Sequence, residues 1–301
     1  MTDAHWFSNL CPYFTVHNLD VYNSCFGSDS TIEALKLNEL QFFEAANWFI
    51  QREGLWAEQK KNSLKWIENS EKKSFQILYW GEGVYPPNLK TLSHPPSVVF
   101  YRGHLPSPTD SYVAVVGARS PTEIGRLWVQ KTIPELSEQG ITIVSGGARG
   151  IDAEAHMSAV EAGGKTIAFL PGSVDAPYPR SNHEIFAQIL ENGALLSEFP
   201  PKTEVRKENF HRRNRLIAGL ADVVVIVEAG ERSGTIMTAS KALAENREIL
   251  VVPGPPLVAS YAGSLNLIYN GAPLARDSKD IIMTLVRKNV LKLKEETPTL
   301  W

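Results

Sequence analysis

Arginine stands in or beside glycine-rich turns at three points of the chain. These are Gly117-Ala118-Arg119-Ser120-Pro121, Ser145-Gly146-Gly147-Ala148-Arg149-Gly150-Ile151-Asp152 and Gly230-Glu231-Arg232-Ser233-Gly234-Thr235. A fourth concentration of charge, Arg206–Arg215, holds five Arg/Lys and His211 in ten residues, against Glu208 alone. A solvated helix face normally mixes its signs more evenly. Arg180 follows Pro179 in a proline-locked stretch that offers its charge no evident structural task, with Asn182 close behind. The chemistry these residues suit is phosphate binding. Glycine lets backbone amides approach an oxyanion, a following helix turns its positive end toward it, and guanidinium groups add charge-assisted hydrogen bonds. One such loop could owe its glycines to tight turning alone; several along one edge are harder to dismiss. The G-x-G-x-x-G dinucleotide fingerprint is absent. Asp152 and His156, four apart on one helix face, could exchange protons or hold a metal. No third ligand lies nearby in sequence, so a capping or loop-orienting pair is the preferred reading, with no metal, cofactor or catalytic residue assigned.

The elements that must position these residues follow from the apolar pattern. Short apolar runs at Tyr112–Val116, Ile141–Ser145, Lys165–Leu170, Ala194–Ser197, Ala221–Glu228 and Glu248–Val252 begin roughly 25–30 residues apart, with room for a helix in each gap. Runs apolar on both faces predict a sheet covered by helices on each side. Pro134 predicts a kink or restart in the helix expected over Thr122–Gln139. Helix-type spacing at Ile32–Ile50 and Leu55–Ile67 marks a different region, in which Trp48, Trp56 and Trp66 read as a small core. The fold class is therefore α/β, a doubly wound, mostly parallel, extended Rossmann-like sheet preceded by a small helical domain. The boundaries expected are a helical domain at 1–75, a turn- and proline-rich connector at 76–110 with a short strand at Ser97–Tyr101, the Rossmann-like domain at 111–286 and a charged tail at 287–301. In such sheets ligands sit outside the carboxyl ends of the strands, where these polar loops fall.

Composition narrows the function classes. The chain is 43% hydrophobic and 21% charged, ordinary for a globular protein with a substantial core. Its apolar runs are too short for a bilayer and its N-terminus carries no signal-peptide pattern, which predicts a cytoplasmic protein without a membrane partner. Cys11 and Cys25 are expected as free thiols. With a net charge of −3, any polyanion site must be a local patch rather than a property of the whole surface.

Seven blocks, in order, resemble one family. They are VAVVGARSPTEIG (Val113–Gly125), VSGGARGIDAEAH (Val144–His156), TIAFLPGSVDAPYPRSNHEIF (Thr166–Phe186), GALLSEFP (Gly193–Pro200), FHRRNRLIAGLADVVVIVEA (Phe210–Ala229), RSGTIMTASKAL (Arg232–Leu243), and VPGPP with NLIYNGA further on. With YPPNLKTLSHPPSVVFYRG upstream, they resemble the DprA/Smf DNA-processing family over about residues 79–282. Two departures are visible: Gly147 stands where the family usually has a larger apolar residue, and the C-terminal winged-helix domain of many members has no room here. The resemblance implies a non-enzymatic protein that binds and protects single-stranded DNA, dimerises, and helps load RecA recombinase in natural transformation. It carries DNA binding onto Arg119 and Arg180 first. Phe210, Arg213 and Asn214 fall in its F-x-x-R-N-R block, with Arg212 between them, and Ser145, Gly146 and Ser233 on the pocket floor. Gly117, Arg149, Gly150, Asn182, Arg232 and Gly234 complete the expected DNA-binding set. The self-association surface falls near Leu265, Leu267, Ile268 and Leu274.

Several alternatives stay open at this level. Arg119 could pair with an acid such as Glu198, Arg213 could be a buried structural arginine, and Phe210 could be a core anchor. A rival class is the LOG-type nucleotide phosphoribohydrolase, whose P-G-G-x-G-T motif precedes a catalytic glutamate. Gly234-Thr235 is kept here, but no acid follows two or three residues on, and such a hydrolysis needs a placed carboxylate. A nucleotide-sensing Rossmann protein is the third reading.

Overall fold

The structure, a computed structural model, describes residues 75–79, 83–96, 98–199 and 202–291. The expectations on residues 1–74, including the helical module, its tryptophans and the two cysteines, lie outside the described residues, as does the tail beyond Leu291.

Eight strands form one sheet in the order β1-β2-β6-β5-β4-β3-β7-β8. They are β1 (Gln76–Tyr79), β2 (Val98–Gly103), β3 (Tyr112–Val116), β4 (Thr142–Ser145), β5 (Thr166–Phe169), β6 (Ala194–Ser197), β7 (Val223–Ile226) and β8 (Glu248–Val251). The last six are parallel, and β2 runs antiparallel to both β1 and β6. The segment 76–110, expected as a connector with one short strand, thus contributes two strands to the sheet. Its short helix α1 (Pro87–Lys90) is tied to the main body, since Asn88 Nδ2 donates to the Leu220 carbonyl and to Asp222 Oδ1 at 2.9 and 2.8 Å.

The apolar strands explain the layering. Every residue of β3, β4, β5, β6 and β7 is buried, so each strand needs cover on both faces. On one face, Leu216, Ile217 and Leu220 of α5 (Lys207–Leu220) and Ala239 and Ala242 of α6 (Gly234–Ala244) join a core with Ala114, Val144 and Val224. On the other, Val129, Ile133 and Leu136 of α2 (Glu123–Glu138), Ala155 of α3 (Ile151–Glu161) and Ile281 of α8 (Ser278–Arg287) meet Val113, Ile143 and Val225. Phe186 and Ile189 of α4 (His183–Asn192) cover β5 and β6, and α7 (Ala262–Tyr269) follows β8. Each large aliphatic side chain so buried contributes about 1.5–3 kcal/mol. That burial also accounts for α2, which runs without a restart through Pro134. An interior proline costs about 3 kcal/mol, less than the α2 side chains recover in the core.

From β3 the chain winds outward in two directions. β4, β5 and β6 follow on one side, then β7 returns to pair with β3 on the other, Val115 opposite Val225. A sheet that switches direction this way opens a crevice at the carboxyl ends of the two strands flanking the switch.

Candidate functional site

The loop after β3 is held at both ends. Near its start, the Ile151 amide donates to the Ala118 carbonyl at 3.1 Å. At its far end, Thr122 caps α2 and gives its own amide and hydroxyl to the fully buried Glu228 carboxylate, at 3.0 and 2.8 Å to Oε2. Arg119 stands exposed between these anchors with its guanidinium carbon 5.3 Å from the Phe210 ring centre. Among the described residues it meets no carboxylate within 4 Å. Glu198, the acid considered as its partner, is taken by Arg215 and, at 3.6 Å, by Arg212.

The loop after β4 is held from beneath. Asp152 Oδ2 accepts from the Gly146 and Ala148 amides at 3.2 and 3.3 Å. Asn182 Nδ2 donates to the Gly147 and Ala148 carbonyls at 3.0 and 3.1 Å. Arg213 donates to the Gly146 carbonyl and, at 2.7 Å, to that of Phe169. Burial raises the Asp152 pKa against the pull of Arg213 and the two amides, and burial lowers that of Arg213 to about 10, which leaves the guanidinium charged near neutrality. His156, one turn on, is fully buried with Nδ1 at 2.7 Å from the Thr166 hydroxyl. Burial, then the nearby Arg213, lowers its pKa to about 3, so it is a neutral core group. Asp152 orients the loop as expected; His156 does not join it in doing so.

Between these loops and the start of α6 lies a cleft of about 730 Å³. One wall is Arg206, just ahead of α5, with the α5 stripe Lys207, Phe210, His211, Arg213, Asn214 and Ile217, spaced as one face of a helix. Opposite, Ser233 caps α6 by accepting from the Ile236 amide at 3.3 Å, and Gly234, Thr235 and Thr238 line the cleft. Tyr178 meets Phe210 edge to face, ring centres 6.2 Å apart at 79°. Arg119, Tyr178, Phe210 and Arg213 separate the cleft from a recess of about 30 Å³ that also reaches Gly146, Arg149 and Pro179. Asp152 is the one carboxylate among the residues lining either space.

Of the residues expected at a site, Gly117, Arg119, Phe210, Arg213, Asn214, Ser233 and Gly234 line the cleft, and Gly146 and Arg149 the recess. Arg180 is exposed and lines neither space, although its neighbour Pro179 lines the recess. Five further expected residues line neither space. Ser145 lies beneath the floor, fully buried, its hydroxyl donating to the Val115 carbonyl at 2.6 Å. Asn182 is likewise buried and holds the loop. Gly150 starts α3 with φ +80°, packed on the Ala118 carbonyl. Arg212 falls on the opposite stripe of α5, against Glu198 and 5.2 Å from the Phe199 ring centre. Arg232 is exposed outside the cleft lining. Arg213 reaches both spaces but is only 4% exposed, with Nη1 bonded to the Gly146 and Phe169 carbonyls and Nε to Asn214 Oδ1. Sequence reasoning missed Tyr178, Thr235 and Thr238 as lining residues, and of these only Tyr178, an aromatic inside a proline-locked loop, carried a signal. In the expected self-association segment, Leu267 and Ile268 pack on the protein's own core while Leu274 is 40% exposed and the adjoining Tyr269 89%. Among the described residues, no helix is long and apolar enough to cross a membrane, and no His/Cys/Asp/Glu group is arranged to hold a metal ion.

Fold and site together define a doubly wound α/β protein with a basic, aromatic-bearing cleft at the carboxyl edge of its sheet. Residues 76–286 match the model of the DNA recombination-mediator protein A family, and the chain belongs to that family. It is 38% identical to protein Smf of Synechocystis sp. over 228 residues, 74% of this chain and 57% of that protein. It is 36% identical to DNA processing protein DprA of Bacillus subtilis over 207 residues, 68% of this chain and 70% of that one. The chain thus spans less than two thirds of the Synechocystis relative. The structure is similar to that of DprA from Streptococcus pneumoniae, with TM-score 0.73, 28% identity and coverage of 93% and 95% of the two chains. It is also similar to DNA processing protein A from Helicobacter pylori, studied for its single-stranded-DNA binding mode. That comparison gives TM-score 0.63 and 31% identity, and covers 71% of this chain and 96% of that one.

Proposed function

We propose that the protein binds single-stranded DNA in this cleft. The strand's phosphates meet Arg119, Arg149, Arg180, Arg206 and Lys207, and an unstacked base lies against Phe210 and Tyr178. The observation that carries the reading is Arg119, a guanidinium held over an aromatic ring at the cleft and left without a carboxylate partner among the described residues. Phosphate pairing and base stacking are what a single-strand groove requires, with about 1–3 kcal/mol per stacked base. The H. pylori relative's single-stranded-DNA binding supports the same use. The one acid among the described residues lining the cleft, Asp152, is committed to two backbone amides, which speaks against the hydrolase alternative. In the cell the protein would work in the cytoplasm without an enzymatic step, as a homodimer that protects incoming strands and helps load RecA recombinase in natural transformation.

Fluorescence anisotropy with labelled oligo-dT, in competition with dTMP across a salt series, tests the binding. The strand should bind at least about 100-fold tighter than the mononucleotide, its affinity falling with a log–log slope near −0.7 per phosphate contacted. Micromolar dTMP affinity without strand binding would refute the reading in favour of a nucleotide sensor. For assembly, light scattering should return twice the chain mass at high micromolar concentration, and Leu274→Arg should halve it.

A further inference from the structure

Asp152 carries the wrong sign for a phosphate cradle, and it sits directly under one. By field alone it should weaken strand binding. Its contacts point the other way. The segment Gly146–Ala148 has six backbone polar groups, and five of them end on buried side chains: two amides on Asp152, the Gly146 carbonyl on Arg213, and the next two carbonyls on Asn182. These three side chains come from α3, α5 and the turn before α4, so three separate elements converge on one loop. The segment is packed down onto them. A Cβ added at Gly146 would lie 2.7 Å from Asp152 Oδ2 and collide with the Arg213 guanidinium. Arg149, the next residue, is exposed at the recess, so the direction in which it presents its charge is set by this hidden scaffold.

Resting on the strand-binding reading above, we infer that Asp152 is a positioning residue for strand binding: with Asn182 and Arg213 it fixes the Gly146–Ala148 backbone that presents Arg149 to the strand. Binding sites gain affinity when their groups are held in place before the ligand arrives, because less ordering is left to be done on association. Arg213 belongs to this scaffold and is not a phosphate contact.

Asp152→Asn gives the two effects opposite signs. The substitution removes a negative charge beneath the strand, so a purely electrostatic role predicts equal or tighter binding. Both loop amides donate to Oδ2, so an asparagine can keep them only through a neutral carbonyl oxygen, a weaker acceptor than the carboxylate and one that no longer attracts Arg213, so a positioning role predicts weaker binding. We expect oligo-dT affinity to fall about tenfold, with the salt slope retained because the contacting arginines remain. Amide exchange at Gly146 and Ala148 should accelerate while the sheet stays protected. Asn182→Ala, which changes no charge and serves if Asp152→Asn does not fold, should weaken binding several-fold with the slope again unchanged. Equal or tighter binding by a folded Asp152→Asn, or unaltered affinity in Asn182→Ala, overturns the inference. Failure of the unmodified protein to bind oligo-dT at all would instead overturn the strand-binding reading beneath it.

Discussion

Two glycine-bearing loops reach the same sheet edge, after β4 and after β7, and their glycines have different causes. In the first, the protein's own atoms demand them. Gly150 adopts φ +80°, ψ −130°, a conformation essentially confined to glycine, and an added Cβ would collide with the Ala118 carbonyl and lie 2.7 Å from Arg119 O. Gly146 rests on the Asp152–Arg213 pair. In the second loop, a Cβ at Gly234 meets nothing within 4 Å, one at Gly230 only the Ala259 carbonyl at 3.7 Å, and neither residue has a positive φ. Among the described residues nothing requires either glycine, although glycine in place of alanine inside a helix, where Gly234 stands, costs about 0.5–1 kcal/mol. The first loop is shaped from inside, whereas the second leaves, among the described residues, open space that admits close approach from outside.

The largest effect expected on this comparison is at the first loop. Gly150→Ala should lower stability by about 3 kcal/mol or more, read as a shift of the urea midpoint, because strain and overlap coincide there. An unshifted midpoint would erase the distinction between the loops. Next, Arg119→Glu should weaken oligo-dT binding about 100-fold, and Arg180→Glu should act in the same direction, with melting temperatures nearly unchanged because neither has an ion-pair partner among the described residues. Loss of folding in either variant would make that arginine structural. A smaller effect is pH-dependent and belongs to α3, the helix behind the first loop. Below pH 6.5 the unfolded chain protonates His156, while the folded state does not until about pH 3. Stability should therefore fall as pH drops through that window, by about 1.4 kcal/mol per unit and about 2 kcal/mol by pH 5. The urea midpoint at pH 7.5 and 5.0 measures it, and His156→Gln should flatten the dependence. α6, behind the second loop, buries Thr235, Thr238, Ala239 and Ala242 and has no such group.

The parts of this architecture legible in the sequence are those where residue type and position coincide. The apolar runs that became β3 to β8 were legible because strands buried on both faces have no polar alternation to dilute them. Arg119 and Phe210 were legible because a charge in a glycine turn and an aromatic in a basic run are conspicuous. β1 was not, since Gln76–Tyr79 is short and lies beside turn-rich sequence. Arg212 could not be told from its neighbours without Glu198, which arrives from β6 and fixes which stripe of α5 faces the cleft. Ser145 and Asn182 look like site residues and act from underneath, because a hydroxyl or amide near a binding loop has the same spelling whether it bonds a ligand or the loop itself. Glu228, which anchors the Arg119 loop, is hidden for the same reason.

The smallest effect is also the sharpest test of the comparison. Gly234→Ala puts one methyl group at the start of α6, where the protein offers no obstacle. Replacing glycine by alanine in a compatible conformation restricts the unfolded chain, so stability should stay level or rise by about 0.4–1 kcal/mol. If the open space serves close approach of a sugar–phosphate chain to the α6 amides, the same methyl group should weaken oligo-dT binding several-fold. The two readouts then move in opposite directions, whereas any variant that harms the fold moves them together. Should stability fall along with affinity, Gly234 is required by the fold after all, and the contrast with the loop after β4 disappears. Should affinity hold while stability rises, the strand does not pass over α6, and it must leave the cleft along the Arg149 side instead.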